Sequence, residues 1–258
     1  MHAQVTDKNP ATSSQQVNGK AVVERMRKAA ADSIDKDHPL WTGIEQGKYT
    51  KEQLKEWIKQ EYHLRNYIIR TLYATMANSL QLEPPLYDED IRIKILESSL
   101  EEEGTINFGT GKKQSHPNML VKFGKALGMT REEMHRAPIL GCTKAWLDEL
   151  ISRCENSLIE ALAGNNLTAE LFNTIVFPRV VKGLKEKYHF SDDDLEFFYE
   201  HSDPEVEGEH VETGARLLAE RIRTEEDAVK AEWTSRFTMF AIQDYYRRIH
   251  THMERMAS

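Results

Sequence analysis

Asp203-Pro-Glu-Val-Glu-Gly-Glu-His-Val-Glu-Thr-Gly214 is the stretch on which the reading of this chain turns. At about 3.6 residues per turn, side chains spaced i, i+4 and i+7 fall on one side of a helix, which puts Asp203, Glu207 and His210 on a common face. Carboxylate and neutral imidazole together suit iron, manganese or zinc, and a Glu-x-x-His pair turned inward from a helix supplies two metal ligands at once. The same residues also make a good helix start. Asp203 before Pro204 is an N-cap with proline at the first helical position, and the glutamates after it favour the helix dipole. Both readings make the segment helical.

The 258 residues carry 40% hydrophobic side chains, enough for a sizeable core, and a net charge of −8. An acidic chain without a Lys/Arg cluster argues against a nucleic-acid partner, which needs a basic stripe, and points to a small-molecule substrate. Met1–Gly19 is polar and has no apolar h-region, so a disordered segment is expected over residues 1–18, without a signal peptide, ahead of a helical domain over 19–258. No run approaches the roughly 18 apolar residues of a membrane span. Cys142 and Cys154 lie in one expected helix, about 18 Å apart at 1.5 Å per residue, and so do not bridge each other. A reducing cytoplasm is the default compartment.

Helical spacing recurs almost everywhere else. Val17–Ala31 is amphipathic, and His38-Pro39-Leu40-Trp41 turns out of it. Thr50 and Gln53 form a capping box before a long helix through Leu54, Trp57, Ile58, Leu64, Ile68, Leu72 and Met76, with Glu61, Tyr62 and His63 as polar groups in its middle. Asp88–Glu103 repeats the pattern and ends in Glu101–Glu103, a carboxylate row that opposes the helix dipole. After the Gly-rich loop Gly104–Ser115, His116-Pro117 opens another helix. Its glycines are not a phosphate cradle, because no Gly-Lys-Ser/Thr comes after them and no strand precedes. Pro138–Ala163 reads as one long helix broken by Gly164-Asn165-Asn166, with Thr168 capping the next, which Pro178 kinks. Ser191 caps a short helix, and Thr224–Met256 closes the chain. No strand alternation or hairpin turn stands out, so one all-α, multi-helical bundle is expected.

Glu132/His135 and Glu186/His189 share the Glu-x-x-His spacing of Glu207/His210. Glu132 lies in an opening turn, where acids are expected anyway, and Glu186/His189 ends a helix before an acidic loop. Both pairs read as surface. Glu207/His210 instead has apolar Val206, Val211, Leu217 and Leu218 around it.

A resemblance rests on the order of short pieces: His38-Pro-Leu-Trp, Gln60-Glu-Tyr-His, Glu102-Glu-Gly, His116-Pro, Leu167-Thr-Ala-Glu170-Leu-Phe, Gly183-Leu-Lys-Glu-Lys-Tyr, Phe197-Phe and Glu207-Gly-Glu-His210. Over roughly Val22–Met256 the chain resembles the haem-oxygenase-like superfamily, in the branch that holds PqqC, TenA and the CADD-type non-haem diiron oxidases. The resemblance implies metal ligands at Glu102, His116, Glu170, Glu207 and His210. It also implies one ligand at either His201, by counting from Phe197-Phe198, or Asp203, by counting back from Glu207. Where some relatives add a glutamate from the first long helix, Arg70 stands here.

The activity implied by this resemblance is that of a non-haem diiron oxidase or oxygenase, which holds two ferrous ions per chain, takes dioxygen as co-substrate and acts on a small organic molecule. A homodimer and an external reductant are the implied partners. Tyr62 and His63 are the residues assigned to the pocket wall and the catalytic work. Carboxylates and imidazoles in such numbers neutralise two ions while leaving coordination positions open, and only the metal charge makes that many buried carboxylates tolerable. The alternatives are a cofactor-free oxidase like PqqC, whose Leu-Thr-Glu-Leu-Phe is matched here with Ala169 inserted, and a non-catalytic helical small-molecule-binding protein. A TenA-like thiaminase needs a nucleophilic cysteine that neither Cys142 nor Cys154 suggests.

Overall fold

The first helix begins where Asn18 places Oδ1 on the backbone N–H of Ala21 (3.2 Å), satisfying a donor that every helix start leaves open. The computed structural model describes residues 17–79, 89–104, 106–107, 111–112, 114–202 and 206–256, some of them, 206–210 included, by backbone alone. Nearly all of the expected N-terminal lead-in, and Pro84-Pro85, lie outside these residues. The helices are α1 (Gly19–Asp32), α2 (Pro39–Glu45), α3 (Lys51–Ser79), α4 (Glu89–Glu102), α5 (His116–Ala126), α6 (Arg131–Arg136) and α7 (Gly141–Asn156). They continue as α8 (Leu158–Ala161), a π-helical segment (Leu162–Ala169), α9 (Glu170–Tyr188), α10 (Glu196–Glu200), α11 (Val206–Arg221) and α12 (Glu225–Arg255). The all-α class holds with one small addition: Ile106–Asn107 pairs antiparallel with Gly111–Lys112 between α4 and α5. Strands this short carry no alternation that a sequence reading detects.

Local chemistry sets most boundaries. Thr50 and Gln53 close the expected capping box, with Thr50 N–H on Gln53 Oε1 (2.8 Å) and Gln53 N–H on Thr50 Oγ1 (3.2 Å). Thr224 and Asp227 do the same for α12. His38-Pro39-Leu40-Trp41 is a helix start and not a simple turn. Pro39 sits in the first turn of α2, and His38 Nδ1 accepts from the Leu40 N–H (3.2 Å).

The segment expected as one helix over Pro138–Ala163 is divided at Ser157, whose Oγ accepts from the Glu160 N–H (3.2 Å) and restarts the chain as α8. The expected break at Gly164-Asn165-Asn166 does not occur. The chain winds through it as a π-helix, and Thr168, expected as a cap, is buried with Oγ1 donating to the Ala163 carbonyl (2.7 Å) and sharing a hydrogen bond with Ser235 (2.8 Å). Tertiary packing explains the difference. A Cβ on Gly164 would stand 3.1 Å from Thr238 Oγ1, and one on Gly214 only 2.5 Å from the Asn166 carbonyl oxygen. The two glycines therefore let α12 and α11 close on the wide turn, where a glycine read in isolation marks a breaker. The extra residue Ala169 ends this π segment, directly before Glu170.

Two apolar clusters hold the helices together. The larger gathers Trp41, Trp57, Phe123, Phe172, Phe177, Phe197 and Phe198, and the other packs Val22 and Met26 of α1 against Leu162, Leu167, Val211 and Leu218. Each such side chain contributes about 1.5–3 kcal/mol when fully buried.

Candidate metal centre

Gly104 joins the two halves of the site. It adopts φ +68, and a Cβ there would lie 2.1 Å from the Ser115 nitrogen, so only glycine lets the returning chain touch the end of α4. Ser115 then caps α5 through Oγ, and His116 occupies the first turn. On α4, Ile95, Ser99 and Glu102 stand at i, i+4 and i+7, with Ile95 and Ser99 buried. Glu102 Oε2 and His116 Nδ1 consequently stand 2.6 Å apart.

His201 completes the group. In α10, Phe197 and Phe198 drive their rings into the core, and the turn after it swings His201 over Phe197 (4.3 Å between centroids) and His116 (4.4 Å). Its Nδ1 is bonded to the Phe197 carbonyl (2.8 Å), which fixes the ring's orientation and makes Nε2 the lone-pair nitrogen. One ligand atom from each of Glu102, His116 and His201 lies within 4.8 Å of the other two. Ligands about 2.1 Å from an octahedral ion stand roughly 3.0–4.2 Å from one another, so the 2.6 Å Glu102–His116 pair has to part slightly for both to bind one iron. One carboxylate with two imidazoles is a donor set suited to iron, and the residues fit that metal.

Beside this group runs a buried polar row on α3. Glu61 is fully buried, with Oε1 accepting from Trp57 Nε1 (3.0 Å) and from the Tyr245 hydroxyl (3.3 Å). Burial raises its pKa above the ordinary carboxylate range, partly offset by the nearby charge of Arg65, and burial likewise lifts Tyr245 and Tyr246. Burial works against the charge of Arg65, but Glu102, Glu61, Tyr246 and Glu170 outweigh it and raise the pKa of the guanidinium.

The residues named from sequence fall in different places. His201, one of the two positions left open, is brought to Glu102 and His116, whereas Asp203 lies outside the described residues. Glu207 and His210 are on α11, with their side chains outside the description. Glu170 opens α9, accepts a 3.4 Å hydrogen bond from Asn173 Nδ2, and is not one of the three residues whose ligand atoms lie within 4.8 Å of one another. Tyr62 is buried in the larger core cluster, and His63 has Nε2 bonded to the Ala137 carbonyl (2.7 Å), where it ties α3 to the connection between α6 and α7. His135 and His189 are exposed, as are Glu132 and Glu186. Arg70 is exposed too, while Arg65, which the sequence reading passed over, faces the centre. The available signal was its place between the apolar Leu64 and Ile68, one turn after Glu61.

Neither thiol is prepared as a nucleophile, since burial raises Cys142 and pushes Cys154 up to about 12. Among the described residues, no helix is long and apolar enough to cross a membrane.

Three solved structures share this architecture. One is a domain of unknown function with a heme oxygenase-like fold from Shewanella denitrificans, 16% identical, covering 93% of both chains with a TM-score of 0.71. A CADD-like protein of unknown function from Nostoc punctiforme is 15% identical and covers 91% of this chain and 98% of its own, with a TM-score of 0.73. A TenA homolog from Pseudomonas syringae pv. tomato is 10% identical, covering 90% and 91%, with a TM-score of 0.68. Identities this low speak to fold alone. No curated protein sequence gives a significant match. A family model described as an iron-containing redox enzyme matches residues 55–242, a span that includes Glu102, His116 and His201. The chain therefore belongs to the iron-containing redox enzyme family, built on a haem-oxygenase-like fold.

Proposed function

We propose that this protein is a non-haem diiron oxidase or oxygenase that uses dioxygen to oxidise a small organic substrate. The observation that carries the reading is the convergence of Glu102, His116 and His201 from three separate segments onto a space within 4.8 Å. In this reading they hold iron together with Glu170, Glu207 and His210. Bound ferrous ions supply electrons and open coordination positions for dioxygen.

The chain's own residues prepare the place. Glu102 carries its charge at the C-terminal end of α4, where the helix dipole opposes it, so the carboxylate favours a cation beside it. The Phe197 carbonyl holds the His201 ring in one orientation. Phe177 and Phe197, buried against the two imidazoles, exclude water and strengthen every charge interaction in the site.

Anaerobic loading with ferrous salt and subsequent metal analysis is expected to give about two irons per chain, and admitting air is expected to consume oxygen. A chain that takes up no iron would sink this reading in favour of a cofactor-free oxidase or a non-catalytic binding protein.

A further inference from the structure

Arg65 is only 9% exposed, yet among the described residues it donates no hydrogen bond and forms no ion pair, and its Nε is buried without a partner. It makes a cation–π contact instead, with Cζ 5.1 Å from the centroid of Phe197. That ring in turn lies 4.3 Å from His201 and 6.0 Å from His116, so the guanidinium borders the candidate metal centre. Glu61, the natural i−4 partner on α3, gives Oε1 to Trp57 and Tyr245, and its Oε2 is buried without a hydrogen bond and makes none to Arg65.

A buried guanidinium with donors to spare is costly when nothing answers it. Glu102, Glu61 and Glu170 are the nearby carboxyl groups, but in the diiron reading Glu102 and Glu170 are committed to iron, and burial favours the neutral form of Glu61. Two divalent ions and a guanidinium together carry five positive charges against three on the proposed carboxylate ligands Glu102, Glu170 and Glu207, and the balance asks for an anion from outside. A guanidinium offers its N–H groups as a planar fork that matches a carboxylate in two parallel bonds. Phe197, fully buried between the guanidinium and the imidazoles, fixes where Arg65 stands relative to the centre.

We propose that Arg65 anchors the substrate by its carboxylate, and that the substrate is a small carboxylic acid held at the edge of the metal centre. This rests on the diiron reading, and the test keeps the two apart. Iron content is measured first, and a chain without iron defeats the metal reading by itself. Iron-loaded, oxygen-free protein is then titrated calorimetrically with benzoate and with hexanoate, each beside its amide.

At least one acid is expected to bind about 10- to 100-fold more tightly than its amide, the worth of a charge-assisted pair. Arg65→Gln is expected to lose that margin while keeping its iron, and Arg65→Lys to retain part of it. The anchor is overturned if neither acid binds, if acid and amide bind alike, or if Arg65→Gln binds the acid as the unchanged chain does. Loss of iron in both Arg65 variants would overturn it too, because Arg65 would then serve to assemble the site. The acid-against-amide comparison needs no variant, so it stands even where a substitution fails to fold.

Discussion

Glu102 Oε2 and His116 Nδ1 lie 2.6 Å apart although a loop separates them in sequence, and His201 closes on the same space from α10. If the three hold iron jointly, removing any one removes a direct ligand. Alterations one shell further out already cost about 10- to 100-fold in metal affinity, so Glu102→Ala, His116→Ala and His201→Ala are each expected to cost at least that. His135→Ala and His189→Ala, on the exposed surface, are expected to leave affinity unchanged. Competition for ferrous iron against a chelator of known affinity measures all five variants, and equal behaviour of the two groups would remove the site.

Gly104 brings that carboxylate and imidazole together. Alanine in its place meets two penalties: a left-handed φ of +68 and a Cβ 2.1 Å from the Ser115 backbone nitrogen. Neither yields to a side-chain rotation, so the loop must move. Gly104→Ala is expected to lower stability by about 1–3 kcal/mol and to weaken iron binding along with it. A parallel measurement of denaturant midpoint and iron affinity checks this. Stability lost without any change in affinity would show that the turn does not position Glu102 against His116.

Glu61 is fully buried, and desolvation, offset in part by Arg65 and the hydrogen bonds to Trp57 and the tyrosines, holds its folded pKa above 4.5. The folded chain therefore favours the neutral acid. Its contribution is fully present below the unfolded pKa and is lost as pH rises, because the unfolded chain ionises freely and the folded one does not. In metal-free protein, Glu61→Gln is expected to gain stability over the unchanged chain as pH rises from about 4 to about 8, the gap levelling at the folded pKa. Glu61→Ala strips the acceptor from buried Trp57 Nε1 and is expected to cost roughly 1–3 kcal/mol for that orphaned donor alone. Urea unfolding across the pH series decides it, and parallel curves for the unchanged chain and Glu61→Gln would contradict the assignment.

Helix type and order were legible because the apolar spacing of α3, α9 and α12 and the Thr50/Gln53 box are local properties. The junctions were not, because they depend on partners far along the chain. Gly164-Asn165-Asn166 reads as a stop until Thr238 and α11 are seen against it, and Thr168 reads as a cap until Ser235 is placed beside it. The site divides in the same way. Glu102, His116 and His201 came from a resemblance in the order of motifs, whereas Arg65 belongs to no motif. Its meaning comes from Phe197, brought over it by the fold. His63 shows the reverse, a polar residue mid-helix whose bond to the Ala137 carbonyl no periodicity discloses.

His38 gives an acid-side test of the fold, independent of metal. The ring is fully buried, stacked on Trp41 at 3.7 Å, with Nδ1 accepting from the Leu40 N–H and Nε2 donating to the Gln243 carbonyl (3.0 Å). Both nitrogens are thus used by the neutral form, and a second proton would cost the Leu40 bond that starts α2. Desolvation accordingly lowers its pKa from 6.5 to about 4. A depressed histidine contributes stability that is complete above the unfolded pKa and drains away as pH falls towards the folded one. The unchanged chain should therefore weaken between 6.5 and about 4, and His38→Asn, which can still cap Leu40 but cannot titrate, should be less stable at neutral pH with a shallower acid slope. Thermal midpoints of the two proteins through that window measure the difference, and an unaltered slope in His38→Asn would mean that some other group sets the acid sensitivity.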